Sequence, residues 1–194
     1  YREGMEVWVN GHPQETWTIH PSDGPSASPV VLPPFGWYAC DTKKKDLVGL
    51  SALVDGRRAD YVDGPKYTYG NGRGHFARFE RAACDGQLIA HRREDGKVEL
   101  IPVECEVGFG IGLDGHSAEA IALDEAGQPI GPAETRSSRG LVFVEPVQDA
   151  FSYLLTPKGE ATAPAVSAPL TAIPGETIAT GGSAGATVEI PADA

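Results

Sequence analysis

Leu47-Val48-Gly49-Leu50-Ser51-Ala52-Leu53-Val54, followed by Asp55-Gly56 and then Arg57-Arg58-Ala59-Asp60-Tyr61-Val62, is the stretch that decides the fold. Two apolar-rich segments of strand length flank a residue pair that tolerates positive φ, which is the sequence form of a tight β-hairpin. The same punctuation recurs at Asn10-Gly11, Asp23-Gly24, Asp63-Gly64, Asn71-Gly72, Asp85-Gly86, Asp95-Gly96 and Asp114-Gly115. Between these turns lie segments that read as short strands: Met5–Val9, Thr16–His20, Gln87–His91, Lys97–Val103, Glu106–Gly112, Ala118–Leu123, Gly140–Glu145 and Phe151–Leu155. Gln87–His91 and Lys97–Val103 form a second expected hairpin around Asp95-Gly96. No window sustains a helical period of apolar residues. Ser117–Ala126 comes nearest, but Gly127-Gln128-Pro129 behind it favours a strand leading into a turn. Regular short strands with glycine turns predict an all-β chain, a β-sandwich.

Composition divides the chain in three. Residues 1–104 carry all three tryptophans and five of the six tyrosines, and are expected to form an aromatic-rich sandwich. Residues 105–157 read as about five strands and are expected to form a smaller immunoglobulin-like unit. Residues 158–194 are rich in Ala, Pro, Thr and Gly, including Gly181-Gly182-Ser183-Ala184-Gly185, and read as a linker or edge strands. Thr187–Ile190 could pair as a last strand.

Charge sets limits on partners. Lysine and arginine total 16 against 27 acids, a net charge of −11. A nucleic-acid binder needs the opposite sign to neutralise phosphates, so none is expected. The basic runs Lys43-Lys44-Lys45 and His91-Arg92-Arg93 are short enough to be solvated turn residues. No apolar run approaches the ~18 residues of a membrane helix. Cys40, Cys84 and Cys105 are odd in number and lack Cys-x-x-Cys spacing, so a structural zinc site is not indicated, while one disulfide is compatible with secretion. The chain starts at Tyr1 and reads as a fragment or processed product.

Aromatic residues supply the strongest functional signal. Trp37-Tyr38 and Tyr67-Thr68-Tyr69 sit beside turn residues, and Tyr67 and Tyr69 share a face if their segment is extended. Rings with an apolar body and a polar tip suit carbohydrate recognition, since the apolar face of a sugar stacks on them. Trp8 and Trp17, inside alternating strands, read as core. Arg73, His75 and Arg78 follow Tyr69 across a glycine-rich turn. A cation beside a proton-transfer group would serve a lyase on acidic sugars through Tyr69, Arg73 and His75, although a hairpin with surface arginines explains the same residues. Asp60, Asp63, Glu80, Glu104 and Glu106 could in principle pair for glycoside hydrolysis, but spacing selects no two of them. The five histidines show no metal-binding spacing and no calcium-loop pattern is present, so neither metal nor cofactor is expected. The candidate ligand-binding residues are therefore Trp37, Tyr38, Tyr67, Tyr69, Arg73 and His75, and no catalytic residue is singled out.

Trp8-Val9-Asn10-Gly11 and Leu32-Pro33-Pro34-Phe35-Gly36-Trp37-Tyr38-Ala39 resemble the β-sandwich accessory domains of large multidomain bacterial glycoside hydrolases. The later stretches Ala120–Gly127 and Phe151–Leu155 resemble closing strands of immunoglobulin-like appendages in such enzymes. The resemblance covers about two-thirds of the chain and carries over no catalytic residue, because such domains normally hold none. It implies a secreted or cell-surface, non-catalytic module that binds polysaccharide or accompanies a parent enzyme. A structural surface or filament subunit, whose tail adds as a strand to a neighbour's sheet edge, is the second expectation. A small polysaccharide-degrading lyase or hydrolase is the third.

Overall fold

The computed structural model describes residues 4–21, 29–113 and 117–158. Its strands run in chain order as β1 (Met5–Val9), β2 (Trp17–Ile19), β3 (Val30–Leu32), β4 (Trp37–Asp41), β5 (Val48–Val54) and β6 (Arg57–Asp63). They continue as β7 (Tyr67–Asn71), β8 (Ala77–Arg78), β9 (Ala82–Cys84), β10 (Gln87–Arg92), β11 (Val98–Val103) and β12 (Phe109–Ile111). The last are β13 (Ser117–Leu123), β14 (Pro129–Ala133), β15 (Thr135–Ser138), β16 (Leu141–Val144) and β17 (Ser152–Lys158). The fold is all-β, with no helix among the described residues. Ten strands form one antiparallel sheet in the order β1-β4-β5-β6-β7-β10-β11-β17-β13-β14, five form a second in the order β15-β16-β12-β9-β8, and β2 pairs with β3.

Cross-strand register decides which side chains are buried, because paired residues project to the same face. Trp8, Tyr38, Leu50, Tyr61, Gly70 and Leu88 stand opposite one another in one row of the large sheet. Ala90, Leu100, Tyr153 and Ala122 continue the same face in a second row. That face meets Ala82 and Cys84 of β9, Phe109 and Ile111 of β12, and Val142 and Val144 of β16 in one core. Phe109 packs on Tyr153 at 5.4 Å between ring centroids. Many of the remaining core positions are alanines, which lets the layers approach closely around a few large rings. On the outer side of the small sheet, Ala83, Leu141 and Phe143 form a second cluster. Phe76 stacks on Phe143, and the Arg136 guanidinium lies 5.5 Å over the same ring. This explains why every residue of β16 is buried.

The turn signals divide into two kinds. Asp55-Gly56 closes the β5–β6 hairpin with φ of +50° and +76°, and Gly96 at φ +77° closes β10–β11. The Asp63-Gly64 pair lies at the β6–β7 hairpin. Asn10-Gly11, Asn71-Gly72 and Asp85-Gly86 are not hairpins, which corrects the sequence reading of them. Asn10 is a buried latch: its Nδ2 donates to the Glu15, Leu32 and Pro33 carbonyls at 2.8, 3.1 and 3.0 Å. Gly72 and Gly86 mark close backbone crossings. A Cβ on Gly72 would lie 2.2 Å from the His75 carbonyl oxygen, and one on Gly86 2.2 Å from that of Glu104. Asp23-Gly24 and Asp114-Gly115 lie outside the described residues. One hairpin turn went unread because arginine supplies one positive φ: Arg139-Gly140 between β15 and β16, at +49° and +79°. Arg73-Gly74, at +55° and +81°, carries the chain from β7 in the large sheet to β8 in the small one, so the hairpin considered there does not form.

Strand β17 runs on through Thr156, Pro157 and Lys158, past the composition shift at Leu155. Beyond Leu155 it pairs with β13 alone, so Pro157 can face the side where no ladder bond is needed. Residues 159–194, including Thr187–Ile190, lie outside the described residues. The expected boundary near residues 104–105 falls between β11 and β12, and both large sheets draw strands from either side of it. Cys40, Cys84 and Cys105 form no disulfide, and burial, then the neighbouring Cys105, pushes the Cys84 thiol up to about 12. Trp17, expected in the core, is 46% exposed on the β2–β3 pair.

The sheets are joined at Asp85. The chain leaves the small sheet at β9 and enters the large one at β10 through Asp85-Gly86, and returns from β11 to β12 through residues 104–108. The buried Asp85 carboxylate accepts the backbone N–H groups of Glu106 and Val107 at 2.9 Å and of Gly108 at 3.2 Å. Burial pushes this carboxyl up, but the three donors outweigh it and hold it below the ordinary range. A depressed folded value means the stabilisation is complete above the unfolded pKa and is lost as pH falls through the folded one. Asp85→Ala is expected to cost about 1–3 kcal/mol in urea unfolding, since it leaves three partly buried N–H donors without their acceptor. Asp85→Asn, keeping one acceptor, should cost less and should remove part of the acid-induced loss of stability. A cost below about 0.5 kcal/mol for the alanine variant would contradict this role.

Candidate functional site

The face of the large sheet turned away from the core carries most of the aromatic residues singled out in the sequence. Register places Trp37, Ser51, Asp60, Asn71 and Gln87 in one outward row across β4, β5, β6, β7 and β10. Tyr69 stands in the next row beside Val62 and Ile89, and Tyr67 in the row after, beside His91. Tyr67 and Tyr69 share this face, as their spacing of two requires.

Each ring is held differently. Trp37 is half-buried and lies over Gly49 of the adjacent strand, where a Cβ would come within 2.9 Å of its ring. A side chain on Gly49 would lift the indole off the sheet. The Tyr69 hydroxyl receives a hydrogen bond from Asn71 Nδ2 at 3.2 Å and donates to Gln87 Oε1 at 3.4 Å. Tyr67 is 55% exposed and stacks on the His91 ring, with centroids 4.6 Å apart and planes within 10°. The sheet surface beside Trp37 is braced by Arg58, whose Nε donates to Ser51 Oγ at 2.9 Å and whose Nη1 donates to the Pro34 carbonyl at 3.1 Å.

Arg73 sits at positive φ in the turn after β7. Its backbone N–H donates to Asn71 Oδ1 at 2.8 Å, and its Nε pairs with Asp60 Oδ2 at 2.7 Å. The guanidinium is thus held at the edge of the aromatic face with its charge already matched. That weakens the case for Arg73 as a cation awaiting a substrate carboxylate. His75 follows Gly74, and its Nε2 is shielded from solvent with no hydrogen-bond partner among the described residues.

Tyr38 is corrected. It is 1% exposed and belongs to the core, because neighbours along a strand point to opposite faces and Trp37 takes the outward one. Trp8 packs edge-on against it at 5.6 Å. Its hydroxyl lies beside the Cys40 thiol, a weak partner, and meets no ordinary hydrogen-bond partner among the described residues. The carboxylates also separate. Asp60 faces outward, whereas Asp63 binds Arg92 at 3.0 Å and accepts the Thr68 hydroxyl, tying β6, β7 and β10 together. Asn71, Gln87, Asp60 and His91 complete the outward face, yet no local motif marks them. They join it only through strand register, which links residues up to 50 positions apart in one row, Trp37 to Gln87.

Among the described residues, no group of three or more His, Cys, Asp and Glu side chains converges to hold a metal ion, and no helix is long and apolar enough to cross a membrane. Comparison with family models, curated proteins and solved structures gives no match.

Burial first, then Cys40 beside Tyr38 and Asp63 beside Tyr61, raises both phenols well above the ordinary tyrosine value. Raised folded values mean this contribution to stability is full below the unfolded pKa and is lost as pH rises toward the folded one. At about pH 11, above the ordinary ~10, the Tyr38→Phe and Tyr61→Phe proteins should show the same ultraviolet phenolate signal as the parent. A signal lower by one tyrosine in either variant would contradict the assignment.

Proposed function

We propose that the chain is a non-catalytic carbohydrate-binding β-sandwich module of the secreted or cell-surface kind, which takes a polysaccharide along the outward face of its ten-stranded sheet. The observation that supports this reading is the placement of Trp37, Tyr69 and Tyr67 on one face among hydrogen-bonding side chains. From β4 to β7 is three strand steps, roughly 14 Å, and Tyr67 lies one further pleat repeat along β7, so the rings span a length suited to an extended chain. The rings offer stacking surface. Asn71, Gln87, His91 and the Asp60–Arg73 pair offer donors and acceptors to sugar hydroxyls. The net charge of −11 disfavours anionic polymers, so the ligand is a neutral glycan. The likeness to accessory domains of glycoside hydrolases points the same way.

Affinity electrophoresis against a panel of neutral and acidic polysaccharides tests the proposal. Retardation by at least one neutral polymer is expected, with Trp37→Ala and Tyr67→Ala each weakening binding about tenfold, or ~1.4 kcal/mol per ring. Unchanged mobility across the panel, or retardation that survives both substitutions, would sink it.

One observation favours the second reading, assembly by strand addition. At one end of the large sheet β14 contains Pro129 and Pro132, which obstruct a further strand, whereas β1 at the other end contains none. On this reading the 159–194 segment of a neighbouring copy would pair with β1. Light scattering should then show the full chain associating at concentrations where a chain ending at Lys158 stays monomeric. A full chain that is monomeric at every concentration would exclude it.

A further inference from the structure

The ten-stranded sheet is wider than what covers it. Its inner face meets the five-stranded sheet on one side and the β2–β3 pair on the other, with β3 packed against β5. The small sheet ends at β8, the shortest strand of the fold. Between β8 and β3 a seam remains over β4, β5 and β6, and it holds a cavity of about 240 Å³. A cavity of roughly 150 Å³ is enough for a benzene-sized ligand.

The lining is apolar with few polar groups. Val30 of β3 and Val48, Leu50 and Ala52 of β5 form one wall. Tyr38, Tyr61 and Phe79 bring three aromatic rings, of which Tyr61 and Phe79 stack on each other at 4.8 Å. The polar groups are the Tyr38 hydroxyl, Glu80 and Arg78. Arg78 turns its guanidinium to the Arg139 carbonyl, across on the β15–β16 turn. The Tyr61 hydroxyl already accepts the Arg81 backbone N–H at 3.2 Å. The buried Tyr38 hydroxyl and the Glu80 carboxyl are what the cavity offers an incoming group. Burial, then Asp63, pushes the Glu80 carboxyl up, with Arg81 opposing, and the charged side chains acting on the Tyr38 hydroxyl are acids, Glu80 and Glu6.

We propose that this seam is a second binding site, separate from the outward face, that takes a small organic ammonium ion with an apolar body, its nitrogen donating to Glu80 and to the Tyr38 oxygen. Aromatic rings attract such cations, and a carboxylate at the same wall adds a charge-assisted hydrogen bond. A ligand there also gives the buried Tyr38 hydroxyl a stronger partner than the Cys40 thiol beside it. The site needs no part of the outward face, so polysaccharide binding and amine binding can fail independently.

Isothermal calorimetry of the full chain with benzylamine, benzyl alcohol and benzoate tests the assignment. Benzylamine is expected to bind at least about tenfold more tightly than either isostere, the worth of one charge-assisted hydrogen bond. Glu80→Gln should abolish that preference, bringing benzylamine and benzyl alcohol to similar affinities. Val54→Trp, which fills the cavity from its half-buried rim, should abolish binding of all three probes. Benzoate binding as tightly as the amine, an amine preference that survives Glu80→Gln, or no heat from any probe would overturn it.

Discussion

One carboxylate holds the two sheets in their relation. Asp85 lies where the chain crosses from the small sheet to the large one, and its oxygens take the backbone N–H groups of residues 106–108, where the chain crosses back. Both crossings are therefore fixed to each other at a single buried point. The backbone around it is packed so closely that Gly72 and Gly86 admit no Cβ. Everything on the faces follows from this. With the crossings fixed, register sends Tyr38, Tyr61 and Leu88 inward, and the same alternation sends Trp37 and Tyr69 outward.

The second constraint is one of coverage. Ten strands present an inner face that five strands and a hairpin cannot tile without a seam. Alanine-rich rows let the layers close over most of it, and the stacked Tyr61 and Phe79 rings bound what is left. The two proposed sites are consequences of these two faces: an open aromatic surface on one, and a small apolar cleft with a buried, weakly partnered hydroxyl on the other. Their ligands differ accordingly in size and charge.

The β class was legible because alternation and positive-φ pairs are local. Asp55-Gly56 and Asp95-Gly96 act as the hairpins their chemistry implies. Asp85-Gly86 has the same signature and a different purpose, since its glycine is required by a close backbone approach and its acid by orphan N–H groups. Nothing local separates those cases. Strand β14 was not legible because two prolines and a glycine in five residues resemble a loop, and only an edge position tolerates them. Of the outward face, Trp37, Tyr67 and Tyr69 were legible as amphipathic rings beside turns. Tyr38 was misread because two adjacent strand residues cannot face the same way. Asn71, Gln87 and His91, like Tyr61 and Glu80 on the other face, reach their places only through pairings distant in sequence.

The central claim is that the outward face of the large sheet, and not its seam or its core, meets a glycan. Backbone amide chemical shifts, followed by NMR while a soluble neutral oligosaccharide is added, test this most directly. The account predicts shifts concentrated at Trp37, Tyr67, Tyr69, Asn71, Gln87 and His91, with Leu88, Leu100 and Tyr153 unmoved. Shifts confined to the seam around Tyr38 and Glu80, or none with any oligosaccharide, would contradict it.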